Sequence, residues 1–205
     1  MDTELVRADA AGALDRALRI LRAGGLVAFP TDTVYGLGAL AFDAEAVESL
    51  YPAKGRDVEK AIPILLADTS GLDLIALKVP PLARRLAGKF WPGPLTLIVE
   101  KNRRLPYAVS RTTTVGVRVP DHAVARRLLQ AAGPMAVTSA NSSGQPSPSS
   151  ANEVLTQLEG RIPLILDGGR TPGGVPSTVV DCTQAEPMIL REGPISLEDI
   201  LGTLK

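Results

Sequence analysis

The sequence has one cysteine and one histidine among 205 residues. A lone cysteine, Cys182, cannot form a disulfide within the chain, which agrees with a reducing compartment. Two such residues cannot make a His/Cys cluster for zinc. A Cys-His nucleophilic pair would need both of them, but Cys182 ends the strand-like run STVVDC and His122 opens a surface helix, so we expect structural roles. An enzyme of this composition works instead with Lys, Arg, Ser, Thr, Asn and backbone groups, which bind anions and position reactants.

Long apolar runs and net charge are also missing. The longest apolar stretches, such as IPILLA and LTLIV, are well short of the ~20 residues that a membrane helix needs. The first residues, MDTELVRADA, lack the basic start and apolar segment of a targeting signal. Lysine plus arginine equals aspartate plus glutamate at 22 each, so no overall field attracts nucleic acid or an acidic membrane. We therefore expect a cytoplasmic protein without a membrane partner, in which any cationic site is local.

Helix and strand signals alternate along the chain. Six segments have helical spacing or caps: AGALDRALRILRAGG, DAEAVESLYPAKGR, PPLARRLAGKF, DHAVARRLLQAAG, ANEVLTQLEG and SLEDILGTL. Asp43 is the predicted cap of the second and Asp121 that of the fourth, and the last opens with a predicted capping box of Ser196 and Asp199. Apolar strand-like runs such as LVAF, IPILLA and LTLIVE separate the helices. The last strands are too close together for helical crossovers, so part of the sheet should be antiparallel. The pattern predicts one α/β domain over residues 1–205, with a twisted, mixed parallel and antiparallel sheet covered by helices.

The stretch FPTDTVYGLG, residues 29–38, follows the apolar run GGLVAF. Thr31, Asp32, Thr33 and Tyr35 can project into a cleft from the end of a strand, and Gly36 and Gly38 would let the backbone turn or approach a ligand closely. A β-turn whose hydroxyls bond their own backbone explains the stretch equally well.

Basic residues follow the second helix. Lys54 and Arg56 flank Gly55, and Lys60 lies four residues on. A helix C-terminus alone favours one cation, but three around a glycine suit a phosphate-rich ligand better than a solvated face. A Walker-type loop is missing from the sequence, so a nucleotide would be bound in another way.

Two loops rich in Ser, Pro and Gly, residues 141–151 and 167–177, follow predicted strand ends. The first could pass for a linker by composition. It connects a predicted strand to the next predicted helix of the same α/β domain, however, and loops at strand ends are where α/β proteins bind ligands. We therefore interpret both as functional loops.

Six motifs occur in a recognisable order and spacing: GGLVAFPTDTVYGLGALA, LYPAKGRDVEKAIPILLA, FWPGPLTLIV, TVGVRVPDH, VTSANSSGQPSP and PSTVVD followed by ILREGPIS. Together they resemble the YrdC/TsaC-type family of L-threonylcarbamoyladenylate synthases, from about residue 14 to residue 200. The resemblance implies a twisted α/β sheet around a large, concave, basic cleft. The resemblance implies a single-domain member, without the additional C-terminal domain of longer members.

The activity that the resemblance implies is the joining of L-threonine, bicarbonate and ATP to give threonylcarbamoyl-AMP and pyrophosphate. Mg²⁺ would be bound with the ATP, and no residue is assigned as a metal ligand. The implied functional partner is a tRNA threonylcarbamoyl transferase, which moves the threonylcarbamoyl group to an adenosine beside the anticodon. Weak binding of tRNA or other RNA is a further implied interaction.

The family's site residues map onto this sequence motif by motif. The implied threonine-binding residues are Thr31, Thr33, Tyr35, Arg118, Thr138 and Ser177. The implied nucleotide-binding residues are Lys54, Arg56, Lys60, Thr114, Ser139, Asn141, Ser149 and Arg191, of which Lys54 and Arg56 are the catalytic candidates. A strand-end surface charge remains an alternative for Arg191, and a helix cap for Ser149. Some members have Asn at the position of Lys60 and His at that of Leu65, which implies altered contacts there.

The sequence is also compatible with two other functions. A nucleic-acid-binding module could hold RNA in the same basic concavity, although aromatic residues make up only 3% of the chain, too few for base-stacking platforms. A related transferase that handles carbamoyl-adenylate in hydrogenase maturation has this fold, but within a much longer chain.

Overall fold

The computed structural model describes residues 2–172 and 175–203. The strands are β1 (Glu4–Arg7), β2 (Val27–Pro30), β3 (Tyr35–Leu40), β4 (Ile64–Leu65), β5 (Leu95–Glu100), β6 (Thr114–Arg118), β7 (Met135–Ser139), β8 (Leu164–Asp167), β9 (Thr178–Asp181) and β10 (Met188–Arg191). The helices are α1 (Ala13–Arg22), α2 (Ala44–Lys54), α3 (Leu72–Ile75), α4 (Pro81–Phe90), α5 (Ala123–Ala132), α6 (Ala151–Leu158) and α7 (Leu197–Gly202). A 3₁₀ turn, Thr69–Gly71, precedes α3.

The ten strands of the described residues form one sheet, in the order β1-β8-β2-β3-β7-β4-β6-β5-β9-β10. Strand β8 is parallel to β1 and β2, β4 is parallel to β6, and β5 is parallel to β9. The other neighbours are antiparallel, including the last pair, β9 and β10. The sequence-based prediction of an α/β fold with a mixed sheet and antiparallel final strands is confirmed.

Two apolar cores lie on opposite faces of this sheet, because successive side chains of a strand point in opposite directions. In β2, Val27 and Phe29 pack in a cluster with buried residues of α1 and α5. Ala28, between them, packs in a larger cluster with residues of α2, α4 and α6. The helices therefore cover both faces of the sheet, although α1 and α5 cover only part of the face on which they pack.

Local sequence signals set several helix ends. Asp43 caps α2 by accepting a hydrogen bond from the Ala46 backbone N–H at 3.1 Å, and Gly55 ends that helix with a φ of 63°. Ser196 and Asp199 form the predicted capping box of α7. At α5 the prediction of Asp121 as cap is wrong, since His122 is the capping residue and makes no side-chain cap bond.

Two roles were predicted for Gly36 and Gly38, a turn or a close approach of the backbone to a ligand. The turn is wrong, whereas Gly36 does line the cleft described below. Both lie within β3 and pair with Ser139 and Val137 of β7. A Cβ on Gly36 would lie 2.7 Å from Val137 Cγ1, and one on Gly38 would lie 2.8 Å from Met135 Cε. These glycines let side chains of β7 pack directly on the backbone of β3.

Parts of two predicted features lie outside the described residues: Gly173 and Gly174 of the loop 167–177, and Leu204 of the last helix. Within the described residues, no helix has the length and apolar character that a membrane crossing requires.

Candidate active site

A cleft of about 390 Å³ opens on the part of the sheet that α1 and α5 leave free. Alternate residues of the central strands form its floor, such as Thr96 and Ile98 of β5 and Gly116 and Arg118 of β6. Its polar lining consists of Thr31, Thr33, Arg56, Thr96, Arg118, Thr138, Ser139, Ser147, Ser177 and Arg191. No aspartate or glutamate is among the described residues that line it. The cleft thus combines guanidinium groups with hydroxyls.

Arg118, at the end of β6, is held on three sides. Its Nε donates to the Gly93 carbonyl at 3.0 Å and its Nη1 to Thr33 Oγ1 at 3.1 Å. Its Nη2 donates to Asp32 Oδ1 at 2.5 Å, and both side chains of this ion pair are largely buried. Burial lowers the pKa of Arg118, and the Asp32 carboxylate opposes that effect. The guanidinium therefore has a fixed orientation and a resident counter-ion.

Thr31 and Thr33 belong to the turn between β2 and β3. The hydroxyl of Thr31 donates to the Val34 carbonyl at 2.7 Å and accepts from the backbone N–H groups of Thr33 and Val34. Thr31 Oγ1 also lies 3.1 Å from Thr33 Oγ1. The turn thus uses the hydroxyl of Thr31 for its own backbone, while that of Thr33 contacts Arg118.

Ser177 and Arg191 form a second fixed group on the opposite side. Arg191 donates to the Ser177 carbonyl from Nε at 3.0 Å and from Nη2 at 2.8 Å, and to its hydroxyl at 3.1 Å. The Ser177 hydroxyl also lies 2.7 Å from Thr96 Oγ1. Partial burial lowers the pKa of Arg191, and the charge of Arg118 adds to that effect. Arg191 is thus a cleft residue as well as a strand-end charge.

Lys54 lies behind Ser139 and does not line the cleft. Its side chain is buried, and its Nζ donates to the Ser139 carbonyl and, at 3.4 Å, to Asn141 Oδ1. Burial lowers the pKa of Lys54 to about 7, with a further contribution from the charge of Arg56. Asn141 accepts from Ser139 Oγ at 2.5 Å. Lys54 and Asn141 therefore act on the cleft through the position of Ser139.

Arg56 lines the cleft from the segment after α2. It donates to the carbonyls of Lys60 at 3.3 Å and Ala61 at 2.8 Å. Burial lowers its pKa. The side chain of Lys60 is exposed and does not line the cleft, so Lys60 contributes a backbone carbonyl to this arrangement.

Three more of the residues assigned to the site from the sequence lie away from the cleft. Tyr35 points to the opposite face of β3, where its hydroxyl donates to the Gly169 carbonyl at 2.7 Å and burial raises its pKa to about 12. Thr114 Oγ1 lies 3.2 Å from that of Thr112 at the start of β6. Ser149 bonds Glu153 and Arg170 at the start of α6, but the cap of that helix is Ser150.

The sequence-based assignment missed two polar residues that line the cleft, Thr96 and Ser147. The signal for Thr96 is a single hydroxyl within the otherwise apolar run LTLIV. Ser147 lies in the loop 141–151, which was predicted to be functional, and it lines the cleft. Asp32 was predicted to project into a cleft but was given no role, and in the structure it pairs with Arg118.

Comparisons with known proteins agree with the family resemblance. A model of the Sua5/YciO/YrdC family, described as "Telomere recombination", matches residues 19–193. The threonylcarbamoyl-AMP synthase of Pyrococcus abyssi is 45% identical over 90% of this chain and 55% of that protein. A putative threonylcarbamoyl-AMP synthase of Mycobacterium tuberculosis strain H37Rv is 42% identical over 92% of this chain and 87% of its own length.

A solved structure, Pyrococcus abyssi Sua5 complexed with L-threonine, superposes with a TM-score of 0.93 at 42% identity, and the match covers 100% of this chain and 61% of that one. The chain spans about half the length of the relatives from Pyrococcus abyssi and Bacillus subtilis, 55% and 54%. Both the sequence and the fold therefore match, and the chain belongs to the Sua5/YciO/YrdC family.

Proposed function

We propose that this chain is an L-threonylcarbamoyladenylate synthase, a nucleotidyltransferase that makes threonylcarbamoyl-AMP and pyrophosphate from L-threonine, bicarbonate or CO₂, and ATP. The observation that carries the proposal is one cleft in which three arginines and several hydroxyls converge without a lining carboxylate among the described residues. Such a set suits two anionic substrates. The names of the relatives and the threonine bound to the Pyrococcus protein support it.

The threonine carboxylate would bind Arg118. A guanidinium has five N–H donors, and Arg118 directs one each to Gly93, Thr33 and Asp32, so two remain for a ligand. The hydroxyls of Thr138 and Ser177, two residues that line the cleft, would accept from the substrate ammonium. In this arrangement Tyr35 supports the sheet rather than touching threonine, and Thr31 shapes the turn that carries Thr33.

The ATP phosphates would bind Arg56, Arg191 and Ser139. Lys54 would assist by holding Ser139, since it is buried behind that residue. Mg²⁺ would enter as part of the MgATP substrate. The donor set favours this, because the described part of the cleft offers hydroxyls but no carboxylate, and no group of three or more His, Cys, Asp or Glu side chains that could hold a metal occurs among the described residues.

The reaction needs no side-chain nucleophile. The threonine ammonium loses one proton to solvent, the neutral amine attacks CO₂, and loss of a second proton from the nitrogen gives the carbamate. A carbamate oxygen then attacks the α-phosphorus of ATP, and pyrophosphate leaves. The chain's contribution is alignment of the two substrates and stabilisation of the negative charge by Arg56 and Arg191, which lie in fixed hydrogen-bonded positions.

The product is a mixed anhydride between a carbamate and a phosphate, so it is an activated acyl donor. A tRNA threonylcarbamoyl transferase is the partner that would consume it, with at most weak contact between RNA and this chain. One sheet runs through the described residues, which supports a single catalytic domain over residues 1–205. We place this activity in the cytoplasm, where tRNA and ATP are both available.

The test is an incubation of the purified protein with ATP, Mg²⁺, bicarbonate and either threonine or serine. Pyrophosphate release and the mass of the nucleotide product are measured. The proposal expects pyrophosphate that depends on threonine and a product with the mass of threonylcarbamoyl-AMP. Pyrophosphate release without threonine dependence would contradict it, and so would salt-sensitive RNA binding that ATP and threonine do not displace.

A further inference from the structure

Two buried polar atoms lack a hydrogen-bond partner in the described residues, Asp32 Oδ2 and His122 Nδ1. Asp32 Oδ2 is a carboxylate oxygen, which accepts hydrogen bonds. His122 Nδ1 is an imidazole nitrogen, which can donate or accept one. Buried polar groups in folded proteins are nearly always satisfied by protein or by ordered water. These two atoms lie in the same region, and one can donate where the other accepts. They therefore point to a hydrogen-bonded connection between Asp32 and His122.

Both residues lie beside the same part of the sheet. Asp32 is in the turn that follows Pro30, and His122 follows Arg118 by four residues, at the start of α5. The position of Gly168 connects them, because a Cβ there would lie 2.7 Å from Pro30 Cγ and 3.6 Å from His122 Cε1. The imidazole and Pro30, which precedes the Asp32 turn, therefore both lie beside Gly168.

The electrostatic surroundings of His122 agree with this placement. Burial lowers the pKa of His122, and two carboxylates, Asp32 and Asp121, oppose that effect. Asp32 belongs to the β2–β3 turn and acts on His122 through its charge, whereas Asp121 is the neighbour of His122 in the chain. The other oxygen of Asp32, Oδ1, is already bonded to Arg118.

We propose that a water molecule bridges His122 Nδ1 to Asp32 Oδ2, which makes His122 a positioning residue for Arg118. The resulting chain runs from His122 through Asp32 to Arg118 and Thr33 in the cleft. His122 fixes the carboxylate plane of Asp32, and this plane fixes the guanidinium that would bind the threonine carboxylate. The part that concerns threonine rests on the proposed function.

The first experiment follows the pKa of His122 by NMR. The chain has a single histidine, so the imidazole signals of untagged protein belong to one residue. Asp32→Asn removes a negative charge that favours the imidazolium, so the pKa of His122 should fall relative to wild type. Glu198→Gln, at an exposed position of α7, is the control and should leave it unchanged. An unchanged pKa in Asp32→Asn would overturn the link, whatever the protein catalyses.

The second experiment measures steady-state kinetics of two substitutions at His122. His122→Leu removes the bridging atom and should raise the KM for threonine about five-fold, a size typical of coupled neighbours, with the KM for ATP and kcat unchanged. His122→Asn keeps a polar group near the position of Nδ1 and should restore the threonine KM. In an Asp32→Asn background, His122→Leu should add little.

Equal changes in the KM values of threonine and ATP, or full additivity with Asp32→Asn, would overturn the positioning role. If the wild-type protein shows no dependence on threonine, the proposed function fails and the role of His122 in threonine binding fails with it. The NMR result still decides in that case whether His122 and Asp32 are linked.

Discussion

Arg191 and Ser177 are joined by three hydrogen bonds, two to the Ser177 carbonyl and one to its hydroxyl. Arg191 ends β10, and Ser177 directly precedes β9, the antiparallel neighbour of β10. The planar guanidinium fixes both the backbone and the side chain of Ser177, which in turn contacts Thr96. One long side chain from the end of the sheet thus organises one side of the cleft.

Replacing Arg191 tests whether geometry or charge matters at this position. Arg191→Lys keeps the positive charge but cannot make the forked contact with Ser177. We expect kcat/KM to fall roughly ten-fold in Arg191→Lys and further in Arg191→Ala, since hydrogen bonds to charged groups contribute ~1.5–3 kcal/mol. Steady-state kinetics of pyrophosphate release measures this. Wild-type kinetics in Arg191→Lys would show that charge alone suffices.

Arg56 should be essential for turnover. It lines the cleft, and its orientation is fixed by the carbonyls of Lys60 and Ala61. We expect Arg56→Ala to lower kcat by roughly a hundred-fold or more, because it removes charge stabilisation at the reacting phosphate. Arg22→Ala, an exposed arginine at the end of α1, is the matched control and should retain wild-type turnover. Equal activity of the two variants would remove Arg56 from the mechanism.

The buried amine of Lys54 should make stability depend on pH. Its pKa is about 7 in the folded protein, against 10.5 for a free lysine side chain. Below pH 7 both states bind the proton, and the folded state bears the full cost of the buried charge. Between pH 7 and 10.5 the unfolded state binds more protons, so stability rises with pH.

We therefore expect the free energy of unfolding to gain up to about 2.5 kcal/mol from this residue between pH 7 and pH 9, at ~1.36 kcal/mol per pH unit. Urea unfolding at the two pH values measures it. Lys54→Met should lack this gain, although removing the donor to Ser139 will also change its stability at both values. The same pH dependence in wild type and Lys54→Met would show that the amine is not desolvated.

Gly36 and Gly88 differ in the space that is available for an added methyl group. Gly36→Ala places a Cβ 2.7 Å from Val137 Cγ1, so we expect a loss of ~1–3 kcal/mol from overpacking. Gly88 lies within α4 with no heavy atom within 4 Å of an added Cβ, so Gly88→Ala should stabilise by ~0.5–1 kcal/mol. Denaturant unfolding checks both. A neutral Gly36→Ala would mean that β3 and β7 can move apart without cost.

The structural features that depend on nearby residues were predicted correctly. The caps at Asp43 and Ser196, the helix end at Gly55 and the alternation of helices and strands depend on residues within a few positions of each other. The family motifs identified most of the cleft residues because those motifs lie at strand ends and in the following loops. The roles of these residues remain predictions that the experiments above test.

The residues that sequence reasoning misplaced depend on strand register. Tyr35 and Gly36 are neighbours in β3, so their side-chain directions are opposite, and only the pairing of β3 with β2 and β7 decides that Gly36 faces the cleft. The sequence also could not show that the ammonium of Lys54 is buried behind Ser139. That contact joins residues 85 positions apart.

The amino-acid sequence alone determined the α/β class, the main helix ends and the family, because these follow from periodicity, capping and motif spacing. The tertiary structure alone decided which polar groups share the cleft and which support it from behind. Its strand order brings Arg118 from β6, Ser177 from before β9 and Thr33 from the β2–β3 turn to one surface. Long-range strand pairing sets this convergence, and no local pattern in the sequence encodes it.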